Sequence, residues 1–508
     1  MELTLWDGLA FALFLAAVIA ISLYASRRES GAGDYFLAGR SLTWWLIGFS
    51  LIASNISTEH FVGMAGAGYG EAGLAIASYE WIAAVTLVVV AFVLLPIYLR
   101  LGIYTMPEFL ERRYGGAART VMAVFMMIAY VGVAMAAVLY SGALGLEAIF
   151  GLDLTAGIWL IGALAGAYTI YGGLKAVVWS DLLQGTALLA GGAVVTWIGL
   201  ERVGGLGAFL DANASKLHTI LPADHPDIPW TAMLLGIWIP NFFYWGCNQF
   251  IIQRALGAKS LKQGQLGIVF AAAVKLVIPF IIVFPGIMAL QLFASQIPNP
   301  DQAYPILIAN LLPAGLRGVL FAALFGAVMS SLDSMLNSAS TIFTMDIYQR
   351  HLRPDAGDRR LMKTGRWATA ALVVAGCLMA PLPGRFEGVF TYIQLVWGFI
   401  SPGIVAAFFF GLVFRRAPQS AALVAMLGGV PVYGLLLWLL PDVAFLNHMA
   451  LTFLILVAAM TAVTVGRPLA QPVSLAGNGE LAAKASLGVR LLGAAVVAST
   501  VALYLIFW

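Results

Sequence analysis

The stretch ASNISTEHFVGMAGAGYGEAGLAIASYEW, residues 53–81, decides how the rest of the chain folds. It begins inside an apolar run but carries a cluster of polar residues: Ser54, Asn55, Ser57, Thr58, Glu59 and His60. Polar groups at bilayer depth must be satisfied by protein, water or a ligand. A helix with this cluster therefore either is broken around a binding site or does not span the membrane. Glu80 follows in the next apolar run, where an ionisable side chain indicates function.

Composition places the chain in a membrane. Of 508 residues, 61% are hydrophobic and 10% are charged, with a mean hydropathy of +0.93. These values are typical of a polytopic membrane protein. Both cysteines lie in apolar runs, which argues against a disulfide framework or a metal centre. Neither a phosphate-binding loop nor a nucleophile elbow interrupts the runs, so we expect a protein that is not an enzyme.

Apolar runs long enough to cross about 30 Å of hydrocarbon recur fourteen times. They lie near residues 6–25, 43–70, 75–99, 120–148, 154–171, 178–200, 231–255, 264–292, 314–345, 366–383, 389–414, 420–440, 443–466 and 488–508. If the N-terminus is outside, alternate connections hold most of the 27 Lys and Arg residues, Arg254 among them, on the cytoplasmic side. The sequence thus predicts a multi-pass cell-membrane protein with fourteen helices and both termini outside.

A second interrupted helix is predicted in WTAMLLGIWIPNFFYWGCNQFIIQR, residues 230–254. There Pro240 removes a backbone amide, and Asn241, Gly246, Asn248 and Gln249 add polar atoms and flexibility. The interrupted helices are the second and the seventh. Because they are five helices apart, an odd number, they cross the membrane in opposite directions. This pattern predicts two inverted five-helix repeats with a solute and ion site at their interface. The predicted divisions are 1–42, a peripheral helix and loop; 43–200, the first repeat; 201–230, an outer loop; 231–414, the second repeat; and 415–508, peripheral helices 12 to 14.

Six motifs carry a resemblance to a known family. They are GDYFLAGRSLTWWLIGFSLIASNIS (33–57), TMPEFL (105–110), YTIYGGLKAVVWSDLLQG (168–185), FYWGCNQFIIQR (243–254), NSASTIFTMDIY (337–348) and FTYIQ (390–394). In order and spacing they are similar to the sodium/solute symporter family, in its sodium/glucose cotransporter branch. The resemblance implies the all-α fold of the sodium-coupled leucine transporter and sodium-driven uptake of a neutral hexose such as glucose or galactose.

The resemblance also implies where sodium binds. The main site falls where the second helix breaks against the ninth, with ligands from Ala53, Ile56, Ala327, Ser330 and Ser331. Oxygen ligands of this kind suit a hard cation. A possible second sodium site includes Asp181, Asp333 and Ser334, although the family commonly has no carboxylate at the position of Asp333. That carboxylate would strengthen cation binding or hold a proton, and Asp181 is equally compatible with a helix N-cap.

The solute site implied by the resemblance combines hydrogen-bonding and aromatic side chains. Its members are Asn55, His60, Glu80, Asn241, Tyr244, Trp245, Lys275 and Gln394, with Met64, Tyr79 and Phe390 as an outer gate. Carboxylate, ammonium and amide groups bind sugar hydroxyls as acceptors and donors, and the aromatic pair suits the C–H face of a sugar ring. Single residues of these types are usually part of the core, but several from separate helices favour a site.

Three alternatives stay open from the sequence. The first is a symporter of the same family for inositol, sialic acid or a monocarboxylate. The second is an intramembrane aspartyl enzyme that uses Asp181 and Asp333, and the third is a receptor. The expected partners are a small sugar, sodium ions and the lipid bilayer, without nucleic acid and without an obligatory protein partner.

Overall fold

The computed structural model describes residues 4–27, 31–57, 59–226, 228–385, 389–475 and 486–508. In these ranges the regular structure is helical apart from two isolated β-bridges. We label the main helices α1 Leu5–Ser26, α2a Trp44–Asn55, α2b 59–69, α3 Gly73–Leu101, α4 Gly116–Glu147, α5 154–172, α6 174–202, α7a Ala232–Cys247, α7b Gln249–Leu256, α8 Leu261–Phe293, α9 Leu316–Leu352, α10 Asp358–Met379, α11 Val389–Val413, α12 Gln419–Leu439, α13 Phe445–Gly466 and α14 Leu487–Ile506.

Helices α5 and α6 are the two parts of one kinked element. The element Leu154–Arg202 has 49 residues, and at about 1.5 Å per residue it would be roughly 74 Å long if straight. Gly173 divides it with φ 51° and ψ −153°, a conformation that a side chain would strain. Eleven described helices, with this kinked element counted as one, are long and apolar enough to span a membrane. The number of crossings stays a prediction, because helix length and composition do not fix where each helix meets the bilayer.

The break in α2 lies where the polar cluster predicts it. Helix α2a ends at Asn55, and Ile56 is extended with φ −75° and ψ 102°. Thr58 lies outside the described residues, and α2b continues from 59 to 69. Further along α2b, a Cβ added to Gly68 would lie 2.9 Å from the carbonyl oxygen of Val283 in α8. Glycine therefore allows α2b to pack closely against α8.

The break in α7 differs from the prediction in its position. Pro240 lies inside the helical turn Trp238–Phe242, directly after the π-helical turn Ala232–Gly236. The chain leaves the helix instead at Asn248, which is extended with φ −86° and ψ 126°. A π turn widens the backbone, so the amide missing at proline is accommodated without ending the helix. Thus the predicted break exists and lies at Asn248, one of the polar residues named for it, whereas its assignment to Pro240 was wrong.

Packing separates central from peripheral helices. In the most apolar 18-residue segment of α9, 89% of the residues are buried. The corresponding fraction is 11% in α1, 28% in α12 and in α13, and 22% in α14. Helix α9 packs against α1, α5 and α6, and α8 packs against α2a, α2b and α3. The two broken helices therefore meet around a protein-filled centre, where loosened backbone is tolerated.

Candidate functional site: a cavity between two helix breaks

A cavity of about 130 Å³ lies beside the two helix breaks and is lined by α2, α3, α4, α7, α9 and α11. Most of the predicted solute-binding residues lie on its wall: Asn55, His60, Glu80, Asn241, Tyr244, Trp245 and Gln394. Lys275 of α8 is behind the wall and donates hydrogen bonds to Asn55 and Glu80. The structure thus brings together every residue in the predicted solute set, while their roles stay predictions.

One side of the cavity holds a charged group that we call the Glu80 cluster; its members are Asn55, His60, Glu80 and Lys275. The Nζ atom of Lys275 lies 2.5 Å from Oε2 of Glu80, and both side chains are buried. The Nε2 atom of His60 lies 3.3 Å from Oε1 of Glu80. Because the ammonium and the carboxylate neutralise each other, this wall offers hydrogen-bonding groups without an unpaired charge.

The wall of the cavity next to the Glu80 cluster presents aromatic rings. Tyr244 and Trp245 have ring centroids 5.0 Å apart and pack edge to face. The Tyr244 hydroxyl accepts a hydrogen bond of 3.1 Å from Nδ2 of Asn55, which joins the two breaks. The Nζ atom of Lys275 lies 4.9 Å from the Trp245 ring centroid, within cation–π distance. The aromatic pair is therefore held against the Glu80 cluster.

The outer part of the wall and the amide side chains complete the cavity. Met64 and Tyr79 both line it, and their role as an outer gate stays a prediction. The side chain of Phe390 lies outside the described part of the chain. Asn241 donates to the carbonyl of Ile237 at 2.9 Å, and Gln394 contributes from α11. Amides from two helices thus add donors and acceptors to the wall.

The predicted sodium residues lie where α2a ends against α9. Ser331 donates to the carbonyl oxygen of Ser54 at 3.2 Å, so the ninth helix contacts the break directly. Ala53 and Ile56 are buried on the α2 side, and Ala327 is buried one turn before Ser331 on α9. This region offers loosened backbone carbonyls and hydroxyls, the oxygen donors that a hard cation prefers. Ser330, in contrast, donates its hydroxyl to Asp181 at 2.5 Å.

Next to the cavity, which Ser54 also lines, is a second buried polar group that we call the Arg254 cluster; its members are Ser50, Ser54, Asp181, Arg254, Ser330 and Ser334. Arg254 lies 3.5 Å from the Asp181 carboxylate and donates to the hydroxyls of Ser50, at 2.7 Å, and Ser334. Asp181 also accepts from Ser50 at 2.5 Å and from Ser54 at 3.2 Å. Asp181 lies inside helix α6 and is fully buried, so the N-cap alternative was wrong.

Asp333 lies apart from the Arg254 cluster. It accepts hydrogen bonds from the Tyr168 hydroxyl and, at 2.9 Å, from the Thr169 hydroxyl, both on α5. Its neighbour Ser334 faces α2a and α7b instead, through Ser54 and Arg254. The three residues of the predicted second sodium site are therefore divided between two polar clusters, because successive positions on α9 face different helices.

Arg254 is the most important residue that sequence reasoning placed wrongly. We counted it among the positive charges of a cytoplasmic connection, whereas it is fully buried on α7b. Its position within the predicted span 231–255 was a signal for burial. Trp397, Phe243 and Met335 also line the cavity without having been predicted, because apolar side chains in an apolar helix carry no distinguishing pattern.

Known proteins are similar to this chain over most of its length. The sequence model of the sodium:solute symporter family matches residues 35–429. The sodium/glucose cotransporter of Vibrio parahaemolyticus is 43% identical over 88% of each chain. Sodium/glucose cotransporter 1 of Sus scrofa is 34% identical, over 81% of this chain and 68% of that protein. Sodium/myo-inositol cotransporter 2 of Mus musculus is 35% identical, over 84% and 68%.

Solved structures share the fold. A sodium-coupled sialic acid symporter in a substrate-bound outward-open state has a TM-score of 0.82 at 23% identity, covering 93% of this chain and all of that one. A nucleobase-cation-symport-1 family transporter in a closed conformation has a TM-score of 0.57 at 17% identity, covering 89% and 99%. These likenesses confirm the predicted fold class, an all-α membrane protein of the leucine-transporter type.

Proposed function

The chain belongs to the sodium:solute symporter family, and on that premise we propose that it couples sodium influx to the uptake of a neutral hexose such as glucose or galactose. The predictions of a multi-pass membrane transporter, of sodium as the coupling ion and of a protein that is not an enzyme are confirmed by this membership. The orientation with both termini outside stays a prediction. The aspartyl-enzyme alternative is set aside with the family assignment.

The observation that carries the proposal is the internal neutralisation of the Glu80 cluster. Among the described residues that line the cavity, Glu80 is the one carboxylate, and its partner Lys275 lies 2.5 Å away. An anionic solute would need a cationic side chain without such a partner. A neutral polyol needs donors and acceptors, which Glu80, Asn55 and Gln394 supply. The aromatic pair next to them offers a flat apolar surface to the ring.

A second candidate solute is a neutral cyclic polyol such as myo-inositol. The relatives include sodium/myo-inositol cotransporters at a similar level of identity to the sodium/glucose cotransporters of mammals. Inositol carries hydroxyls around an uncharged ring, so the same cavity chemistry suits it. Sialic acid and monocarboxylates are disfavoured, because no arginine is among the described residues that line the cavity.

The coupling ion would bind at the α2 break, with Ala53, Ile56, Ala327, Ser330 and Ser331 as ligands. A second coupled sodium is also part of the proposal, with Asp181, Asp333 and Ser334 as its candidate ligands. Sodium at the break would favour the outward-open state that binds the solute, and linkage makes the effect reciprocal. One charge crossing 100 mV supplies about 2.3 kcal/mol, which corresponds to roughly fortyfold accumulation.

The architecture supports alternating access between two repeats. We assign 43–200 to the first repeat, 231–414 to the second, and 1–42 with 415–508 to the periphery; the outer connection is 201–230. The low burial of α1, α12, α13 and α14 supports this division. Movement of one repeat against the other would open the cavity to each side in turn, with Met64, Tyr79 and Phe390 as the outer gate and Tyr244 with Trp245 as the inner one.

The test is uptake by purified protein in liposomes. We expect accumulation of labelled glucose or galactose under an inward sodium gradient, and none when potassium replaces sodium on both sides. Competition by unlabelled galactose, myo-inositol, sialic acid and lactate then ranks the solutes. Stronger competition by sialic acid or lactate than by either hexose would overturn the neutral-sugar proposal, and stronger competition by myo-inositol would favour the second candidate.

A further inference from the structure

Trp81 joins the two helices that carry the ion pair of the solute cavity. It directly follows Glu80 on α3, and its Nε1 atom donates a hydrogen bond of 3.3 Å to the carbonyl oxygen of Leu276. Leu276 in turn directly follows Lys275 on α8. The Trp81 side chain is fully buried and is not among the described residues that line the cavity. Trp81 therefore connects α3 to α8 from behind the cavity wall, next to the ion pair.

The geometry of the ion pair depends on how α3 and α8 are fixed against each other. Consecutive residues of a helix point about 100° apart, so Glu80 faces the cavity while Trp81 faces α8 and α14. The distance of 2.5 Å from Nζ of Lys275 to Oε2 of Glu80 requires a fixed position of one helix along the other. Because a hydrogen bond weakens steeply with distance and angle, a small shift between the helices would loosen this pair.

The Trp81 ring is held by α14, a helix outside the two proposed repeats. Its centroid lies 5.6 Å from that of Tyr504 and 6.1 Å from that of Phe507, which directly follows α14. Phe280 of α8 completes the group, at 6.2 Å from Trp81 and 6.2 Å from Phe507. Aromatic rings at such distances attract each other beyond the effect of the buried area. The end of α14 thus contacts both helices of the ion pair through one aromatic group.

The connection 201–230 fixes the end of this aromatic group. The backbone amide and the hydroxyl of Thr219 both donate to the carbonyl oxygen of Phe507, each at 2.8 Å. A carbonyl at the end of a helix has no partner within the helix, so Thr219 supplies the missing donors. The rest of α14 is weakly buried. Phe507 is therefore held through both its ring and its backbone, although its helix is peripheral.

We propose that Trp81 is a positioning residue for solute binding, and that Tyr504 and Phe507 at the end of α14 hold it in place. Trp81 does not touch the solute in this assignment. It fixes α3 against α8, so that Lys275 keeps Glu80 oriented at the cavity wall. The inference rests on the proposed function, which assigns this wall to the solute. Solute affinity therefore depends on a helix that lies outside the two repeats.

The first test is a double-mutant cycle, measured as the uptake of labelled hexose into liposomes at saturating sodium. Loss of one ring in Phe507→Leu should raise KM roughly fivefold, the equivalent of about 1 kcal/mol, with an unchanged maximal rate. In the Glu80→Gln background the same change should raise KM by less than about twofold, because the group that it positions is already altered. Trp81→Phe, which keeps a ring but removes the Nε1 donor, should resemble Phe507→Leu.

The matched control is Phe11→Leu. Phe11 is also a half-buried phenylalanine of a peripheral helix that packs on a central one, with its ring centroid 5.4 Å from that of Phe325 on α9. Phe11→Leu and Phe507→Leu should lower the midpoint of thermal unfolding by similar amounts. The control should nevertheless keep KM within about twofold of the wild type, because its contact is far from the Glu80 cluster. A general loss of stability is thereby separated from a loss of positioning.

A second measurement needs no solute. Acetylation of Lys275 by acetic anhydride, followed by mass spectrometry of the purified protein, reports how firmly Glu80 holds the ammonium, because the reagent attacks only the free amine. The rate should rise roughly fivefold in Phe507→Leu and in Trp81→Phe, in proportion to the weakened pair, and should stay at the wild-type value in Phe11→Leu.

Three outcomes overturn the inference. They are an acetylation rate that is unchanged in both Phe507→Leu and Trp81→Phe, an equal rise in KM in Phe11→Leu, and full additivity of Phe507→Leu with Glu80→Gln. A wild-type protein that shows the expected acetylation pattern but accumulates no hexose would contradict only the proposed function.

Discussion

The Glu80 cluster and the Arg254 cluster each contain a buried acid and a buried base, but the surroundings of the two ion pairs differ. In the Glu80 cluster the ion pair lies at the edge of the cavity, and Asn55, His60 and Glu80 line its wall. In the Arg254 cluster the guanidinium and the carboxylate are surrounded by serine hydroxyls and the carbonyl of Phe250. One pair lies at the wall of the cavity, whereas the other is enclosed by protein groups.

The difference shows how buried charge is used in this protein. A pair that lines a cavity keeps free hydrogen-bonding capacity, so a hydroxylated solute can complete it. A pair enclosed by hydroxyls has no such capacity and instead connects helices. Through Ser50, Asp181, Arg254 and Ser334, the second cluster joins α2a, α6, α7b and α9. We therefore expect mutations in the first cluster to change solute affinity, and mutations in the second to change stability and coupling.

The largest effect is expected for Arg254→Met. This change leaves the Asp181 carboxylate buried without its counter-ion, which costs about 3–5 kcal/mol. Thermal unfolding in detergent should show a strongly lowered midpoint and little folded transporter. Addition of Asp181→Asn should restore part of the loss, since the double variant has no unpaired charge. Arg353→Met serves as control, because Arg353 is exposed. If Arg254→Met unfolds at the wild-type temperature, the closed cluster does not hold these helices together.

A smaller effect, mainly on solute affinity, is expected for Glu80→Gln, because the amide keeps hydrogen-bonding atoms next to Lys275, which also donates to Asn55. A hydrogen bond to a charged group contributes about 2 kcal/mol, which corresponds to roughly thirtyfold weaker solute binding. Sodium binding without solute should stay within about twofold of the wild type, since Glu80 is in the other cluster. Solute-dependent fluorescence and ²²Na⁺ binding measure the two quantities separately. The exposed Glu147→Gln is the control. A parallel loss of sodium affinity would show that the two clusters are not functionally distinct.

The smallest effect is expected for Ser331→Ala, at the junction of the two regions. Loss of one hydroxyl from the proposed sodium site should cost about 1 kcal/mol, or roughly a fivefold higher sodium concentration for half-maximal uptake. Solute affinity at saturating sodium should be unchanged. Ser180→Ala is the matched control, because the Ser180 hydroxyl bonds only to carbonyls of its own helix. An unchanged sodium dependence would remove Ser331 from the coupling site.

The break in α2 was predictable because its signal is local. Polar residues inside an apolar run conflict with lipid, and the helix ends at Asn55, within that polar stretch. The break in α7 was predicted from Pro240 but lies at Asn248, eight residues further on. Proline lacks the backbone amide that a helix needs, but the π turn before Pro240 accommodates this loss without ending the helix. In α7 the Tyr130 hydroxyl donates to the Asn248 side chain, and this contact from α4 is not visible in the local sequence.

The sequence by itself determined the membrane setting, the two interrupted helices and the family, and through the resemblance the residues that meet around the cavity. Hydrophobic length, polar interruptions and ordered motifs are properties of short segments, so no packing information is needed to read them. Only the tertiary structure decided the partners of the charges: Lys275 with Glu80, Arg254 with Asp181, and Asp333 with neither base. Those partners depend on how each helix is rotated and kinked against its neighbours. One residue along α9 changes the helix that a side chain faces, so packing decides which buried charges have a counter-ion inside the protein.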